Sequence, residues 1–201
     1  MDSSALRQAF FLEPAPGAAT VTSAAALLKV LLAQDGSTTR VCEAIAGGAV
    51  SLQLAHQCVT TAVPAAVRQS LPGTQFIERV SSLCAHGQVM MDNLVYVALE
   101  GLSAPLRAGL EGGSMPIGHL LELLWVRRRP LPAPVTTPLL ARLWQEVGDP
   151  DAAASRAYTI ATPQGPLFLI AETYRYGMRW LPAPAPVPGT AARSVPVQGP
   201  P

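Results

Sequence analysis

The chain has 201 residues, of which 49% are apolar and 13% charged, with a formal net charge of +1. That length suits one domain or a domain with a tail, and the apolar share can fill a sizeable core. A near-neutral balance argues against a nucleic-acid surface, and the longest apolar run, residues 18–33, is broken by Thr, Ser and Lys29 and too short to span a bilayer.

Residues 1–20 carry the breakers Pro14, Pro16 and Gly17 and are expected to be irregular, without the basic start and unbroken apolar run of a signal peptide. The stretch "SAAALLKVLLAQDG" predicts a helix, with Ser23 as N-cap and Gly36 past its C-terminus. "AVSLQLAHQCV" alternates, placing Val50, Leu52 and Leu54 on one face, and predicts a strand; His56 on its apolar side reads as a core histidine. "PAAVRQSLPG" predicts a short helix closed by Pro72-Gly73. "QFIERVSSLCAHGQVMMDNLVYVAL" predicts two strands turning near His86-Gly87. "APLRAGL" and "MPIGHLLELLWV" read as helices, the second with Pro116 in its first turn.

Residues 127–137, "RRRPLPAPVTT", read as a loop whose three arginines mark a solvated end rather than a basic patch. "PLLARLWQEVG" predicts a helix, and "SRAYTIATPQGPLFLIAETYRY" a second hairpin turning at residues 163–165. From Pro182 the chain is proline-rich with little to bury, and a disordered tail over 182–201 is expected. Residues 21–181 remain as the folded domain. Strands joined by tight turns imply an α+β fold built on a single antiparallel β-sheet.

Several chemistries lack support. The sequence has no GxxxxGK[ST] loop, GxGxxG or GxSxG elbow. His56, His86 and His119 are scattered, and Cys42, Cys58 and Cys84 lack CxxC spacing, so no metal site and no cofactor are expected. An odd count of unclustered cysteines suits a reducing compartment, and the chain reads as soluble and cytoplasmic. The sequence does not fix an oligomeric state.

What stands out is charge on strands that ought to be apolar. In "PLFLIAETYRY", Glu172 shares a face with Phe168, Ile170, Tyr174 and Tyr176. A lone buried carboxylate costs several kcal/mol, so Glu172 is exposed, paired with a cation, or present for chemistry. In "FIERVSSLC", Arg79 shares a face with Ile77, Ser81 and Leu83, and in "MMDNLVY" Asp92 shares one with Met90, Leu94 and Tyr96. An arginine and a carboxylate directed into one apolar face make either a small-ligand pocket or a structural ion pair.

Four stretches add a resemblance. They are "LLAQDGSTTRV", with Gly36, Ser37, Thr38, Thr39 and Arg40; "ERVSSLCAHG", with Arg79 placed before Gly87; "MPIGHLL"; and "GPLFLIAETY", with Glu172. In this order they resemble the chorismate pyruvate-lyase family, its short actinobacterial-type branch more than its ubiquinone-pathway branch, over roughly residues 24–178. The resemblance implies an antiparallel sheet with helical flaps over a buried cavity. It also implies that chorismate is converted to 4-hydroxybenzoate and pyruvate without a cofactor. On that basis Arg79 and Glu172 are the catalytic candidates. Arg79 would hold the ring carboxylate, helped by the amides of Thr38 and Ile117, and Glu172 would meet the hydroxyl at the far end of the ring. A protonated Glu172 could donate to the departing oxygen. Thr38, Ile117, Gly118 and Asp92 are the further substrate-binding candidates.

One departure stands against this. Where ubiquinone-type members carry a second arginine for the pyruvyl carboxylate, this chain has Leu94, with Asp92 as the nearest polar residue. Arg40, Arg156 and Arg175 are candidates for that role. Two alternatives follow: a divergent enzyme of natural-product biosynthesis acting on another small carboxylate, and a non-catalytic ligand-binding module. The partner expected in every case is a small-molecule carboxylate, with no nucleic acid and no membrane.

Overall fold

The computed structural model describes residues 24–122, 124–175 and 178. The irregular segment expected at 1–20 and the tail expected from 182 lie outside them, as does Tyr176. The chain divides into two units, Met1–Gln34 and Asp35–Pro201. In the first, the expected helix is α1 (Ala24–Ala33). Among the described residues no helix is long and apolar enough to cross a membrane.

The second unit begins with α2 (Thr38–Ala46), which sequence patterning did not predict. Ser37 caps it, its hydroxyl accepting from the Arg40 N–H at 3.4 Å. Gly47 stops it at φ +70°, a conformation glycine adopts without strain, with its N–H on the Glu43 carbonyl. Six strands follow: β1 (Ser51–Thr60), β2 (Phe76–Ala85), β3 (Gln88–Ala98), β4 (Arg127–Pro130), β5 (Ser155–Thr162) and β6 (Gly165–Tyr174). They form one sheet in the order β1-β2-β3-β6-β5-β4, with every neighbouring pair antiparallel. This is the expected α+β architecture, and both predicted hairpins are present as β2–β3 and β5–β6.

Helices cover both faces of the sheet. On the first, α3 (Ala65–Ser70) and α6 (Ala133–Val147) bring Val67, Leu139, Leu140 and Leu143 against Val80, Leu94, Leu169 and Ala171. On the second, α4 (Ala104–Glu111) brings Leu106 and Leu110 against Ile77, Val97, Phe168 and Ile170, and Leu121 follows the short α5 (Ile117–Leu120) into that layer. Each Val, Leu, Ile or Phe side chain among them contributes roughly 1.5–3 kcal/mol when removed from water. Period-two alternation along β2, β3 and β6 sends Val80, Leu94 and Leu169 to the first layer and Ile77, Val95 and Ile170 to the second.

Four local expectations are corrected. Residues 127–130 form an edge strand, not a loop; Pro130 ends it, where a missing N–H on an edge costs no ladder bond. The following helix starts at Ala133 rather than at Pro138, and runs through that proline at the loss of one backbone bond. The helix predicted over 115–126 is confined to Ile117–Leu120, because the chain then tightens into three-residue turns, Glu122 N–H to His119 O and Leu124 N–H to Leu121 O. A bulge between Leu54 and His56 turns His56 out of the alternation, so it is not a core histidine: its side chain is 38% exposed and lies 3.7 Å from Glu78.

Candidate functional site

A cavity lies in the second unit, over the sheet face that α4 and α5 cover. Its walls are apolar at Leu52, Leu83, Met91 and Val95, and polar at Thr38, Thr39, Ser81, Asn93, Arg128 and Glu172; Ile117 and Gly118 close it from α5. Its volume of about 40 Å³ holds only about two or three waters. A ring-sized ligand must therefore widen it.

Strand register builds the polar floor. Ser81 of β2 faces Asn93 of β3, Asn93 faces Glu172 of β6, and Glu172 faces Arg156 of β5. The Ser81 hydroxyl donates to Asn93 Oδ1 at 3.0 Å. Glu172 is 1% exposed. Its Oε1 accepts from Arg156 Nε at 2.7 Å and from the Tyr174 hydroxyl at 2.9 Å, and its Oε2 accepts from the Tyr158 hydroxyl at 3.0 Å. The Thr38 hydroxyl lies 3.4 Å from both oxygens. The question posed by a carboxylate on an apolar face is thus answered: Glu172 is paired, and its cation is Arg156.

This shell suits an acceptor. Arg156 can only donate, and its guanidinium lies over the rings of Tyr158 and Tyr174, 5.1 and 5.7 Å from their centroids. Burial pulls the Arg156 pKa down, but the Glu172 carboxylate and the two phenols outweigh it and hold the group above its ordinary value. Burial, and then the Glu172 carboxylate, push the Tyr158 phenol well above its usual range, so it stays a neutral donor. Oε2 carries one short hydrogen bond, which leaves it acceptor capacity toward the cavity.

Arg79 is placed differently. It is fully buried beside the cavity, two residues along β2 from Ser81 and opposite Val95, both of which line it. Its Nη2 donates to the carbonyls of Gly113 and Met115, each at 3.1 Å, in the loop that leads into α5. Its Nε and Nη1 are buried without a hydrogen-bond partner, and among the described residues no carboxylate pairs with it. Burial lowers its pKa. An enclosed cation with two idle donors is costly to keep.

α2 and α5 meet at Gly118. A Cβ there would lie 2.3 Å from Thr39 Oγ1 and 2.7 Å from Ser37 Oγ, so only glycine lets the two helix starts approach this closely. Outside the cavity the same two helices are joined by charge: His119 Nε2 lies 2.9 Å from Glu43, and Arg40 spans Glu43 at 3.2 Å and Glu122 at 2.7 Å.

No protein-family model matches the chain, and no curated protein matches it. Three solved structures align at low similarity. They are YydK of Bacillus subtilis, described as a possible transcriptional regulator (15% identity, 68% of this chain and 62% of that one, TM-score 0.39); the ligand-binding domain of a protein assigned to the GntR family of transcriptional regulators, from Bordetella bronchiseptica (15%, 64% and 85%, TM-score 0.40); and the gene product SA0254 of Staphylococcus aureus (14%, 63% and 84%, TM-score 0.37). The chain thus spans less than two thirds of the Bacillus protein.

Of the residues singled out from sequence, Glu172, Thr38, Ile117 and Gly118 come together at the cavity, with Arg79 beside it. Asp92 does not join them. It lies on the opposite face, accepting from Arg175 Nε at 2.5 Å and from the Ser82 hydroxyl, because it alternates with Leu94 and Tyr96 of the α6 layer. Arg156, Tyr158, Asn93 and Arg128 contribute to the site without having been assigned these roles from sequence. Their signal was spacing: Arg156 and Tyr158 alternate on β5 as Glu172 and Tyr174 do on β6.

Proposed function

We propose that the chain is a chorismate pyruvate-lyase whose cavity takes a small ring carboxylate. One observation carries this: Arg79, fully enclosed, has two N–H donors unused and no carboxylate partner among the described residues. A planar guanidinium with free donors matches a carboxylate in charge and geometry. The resemblance of the Arg79 and Glu172 stretches to the lyase family supplies the reaction.

In that reaction the ring C–O bond to the enolpyruvyl group breaks, and its oxygen leaves with the three-carbon fragment. The neighbouring ring carbon, which keeps its hydroxyl, loses a proton. The fragment gains a proton on carbon and becomes pyruvate, and the ring becomes 4-hydroxybenzoate, so atoms balance with no oxidant or cofactor. Aromatisation drives the step. The protein must position the ring and stabilise moving charge. Arg79 would fix the ring carboxylate at one end. Glu172, held by Arg156, Tyr158 and Tyr174, would accept a hydrogen bond or the ring proton at the other, rather than donate as a carboxylic acid. Arg79 also tethers the 112–116 loop by the Gly113 and Met115 carbonyls.

Purified protein mixed with chorismate should release pyruvate and 4-hydroxybenzoate in equal amounts. Absence of both products at high enzyme concentration would remove the lyase reading. The small volume favours a second reading, a non-catalytic module that binds a small carboxylate. It predicts saturable binding of 4-hydroxybenzoate with no turnover of chorismate.

A further inference from the structure

The polar groups around the cavity do not stop at one cation. Arg128 of β4 pairs with Ile160 of β5, lines the cavity, and sits 6.0 Å from the centroid of the Tyr158 ring. Its Nη1 is fixed on the Asp35 carbonyl at 2.8 Å. Its Nε is buried without a hydrogen-bond partner, and among the described residues no carboxylate pairs with it. The sequence read residues 127–129 as a solvated loop end; strand pairing instead directs the middle arginine to the cavity side.

We propose that Arg128 is a second anion-binding residue of this cavity, and that the natural ligand carries two anionic groups. The three arginines considered for a second carboxylate are otherwise engaged. Arg156 is spent on Glu172 at 2.7 Å. Arg175 bonds Asp92 and Asp149 on the opposite face. Arg40 bridges Glu43 and Glu122 outside the cavity. Arg128 has no such partner, and a buried N–H left idle costs free energy that an incoming anion would recover. The separation fits an extended ligand. Arg79 on β2 and Arg128 on β4 stand at opposite ends of five strands, four spacings of roughly 4.8 Å apart at the backbone, and both side chains lie on the same face. Arg79 starts the row Arg79, Val95, Ile170 and Tyr158, Arg128 starts the neighbouring row with Ile160 and Phe168, and Glu172 lies on the middle strand in the row on the far side of Arg79's. A ligand spanning this face would meet a cation at each end, with Glu172 to one side of the line between them.

The inference rests on the carboxylate-binding reading of the cavity, and the test separates the two. Wild type, Arg128→Gln and Arg128→Lys are titrated by calorimetry with benzoate, benzene-1,4-dicarboxylate, 4-hydroxybenzoate and chorismate, each protein with a melting curve. The expected result is that wild type prefers each dianion over its monoanion. Arg128→Gln should lose about ten- to a hundredfold in dianion affinity while monoanion affinity stays within about twofold. Arg128→Lys keeps the charge but lacks Nε–H. It should retain part of the preference and remains informative if the glutamine variant fails to fold. Wild type that binds monoanions with no preference for dianions overturns the role of Arg128 and leaves the carboxylate cavity standing. An equal loss for both classes makes Arg128 a structural residue. Wild type that binds none of the four overturns both.

Discussion

Removing the Arg156 charge tests the electrostatic frame of the site without requiring the ligand to be known. Arg156→Met keeps most of the side chain's volume but leaves Glu172, 1% exposed, without its cation. Breaking a buried pair from one side costs about 3–5 kcal/mol. The phenols of Tyr158 and Tyr174 at 3.0 and 2.9 Å still serve the carboxylate, which points to the low end, about 3 kcal/mol. For a chain of this size each kcal/mol lowers the melting temperature by about 2–4 °C, so the expected drop is about 6–12 °C. The double variant Arg156→Met/Glu172→Met removes both charges and should recover most of that loss, since an apolar replacement of a buried pair is often neutral. Chemical denaturation of the wild type, both single variants and the double variant completes the cycle. A single variant within about 1 kcal/mol of wild type, well short of the cost of a broken buried pair, would refute the argument, as would a double variant no better than Arg156→Met.

Glu172→Gln should fold, because the amide keeps the size and can still accept from the phenols, but pyruvate release from chorismate should fall about ten- to a thousandfold, the scale of one positioned polar group; an unchanged rate would make Glu172 structural. Gly118→Ala forces a methyl to within 2.3 Å of Thr39 Oγ1, so it should cost about 1–3 kcal/mol and weaken 4-hydroxybenzoate binding together with stability; unchanged melting would show that α2 and α5 separate freely. Glu100 is held at about 2, below its ordinary value near 4.5, first by the Thr74 hydroxyl and then by the Thr74 amide. A carboxyl depressed on folding adds stability that is complete above its unfolded value and lost as pH falls toward the folded one. Between pH 5 and 2.5, Glu100→Gln should therefore lose less melting temperature than wild type, and parallel losses would contradict this.

Much of this was legible in the residues. Period-two alternation located β2, β3 and β6, and it exposed Glu172 and Arg79 as charges on apolar faces. It also placed Asp92 with Met90, Leu94 and Tyr96, which already put it on the α6 side. The pairing of Glu172 was not legible. A tight turn with Thr162 opposite Gly165 would, carried back unchanged, set Arg156 against Ala171; the bulge between Ile160 and Ala161 shifts the register by one and brings Arg156 to Glu172. Nothing in the local pattern announces that bulge. Residues 127–130 were read as a loop because arginines and a proline are poor strand formers, yet an edge strand needs only one partner and tolerates both. Helix α2 was missed although its Ser37 cap and Gly47 stop are plain in sequence, because its buried face is made of Thr38, Thr39 and Cys42 rather than large apolar residues.

Arg79 remains the centre of the account, as the buried cation proposed to hold the ligand's carboxylate. Arg79→Met removes the charge at similar volume, and calorimetric titration with 4-hydroxybenzoate and with phenol reads the role directly. The account predicts that wild type binds 4-hydroxybenzoate, that the variant loses about 2–4 kcal/mol of that affinity, and that phenol binding barely changes. Equal 4-hydroxybenzoate affinity in the wild type and a folded Arg79→Met variant would contradict it and leave Arg79 as an anchor for the Gly113–Met115 loop.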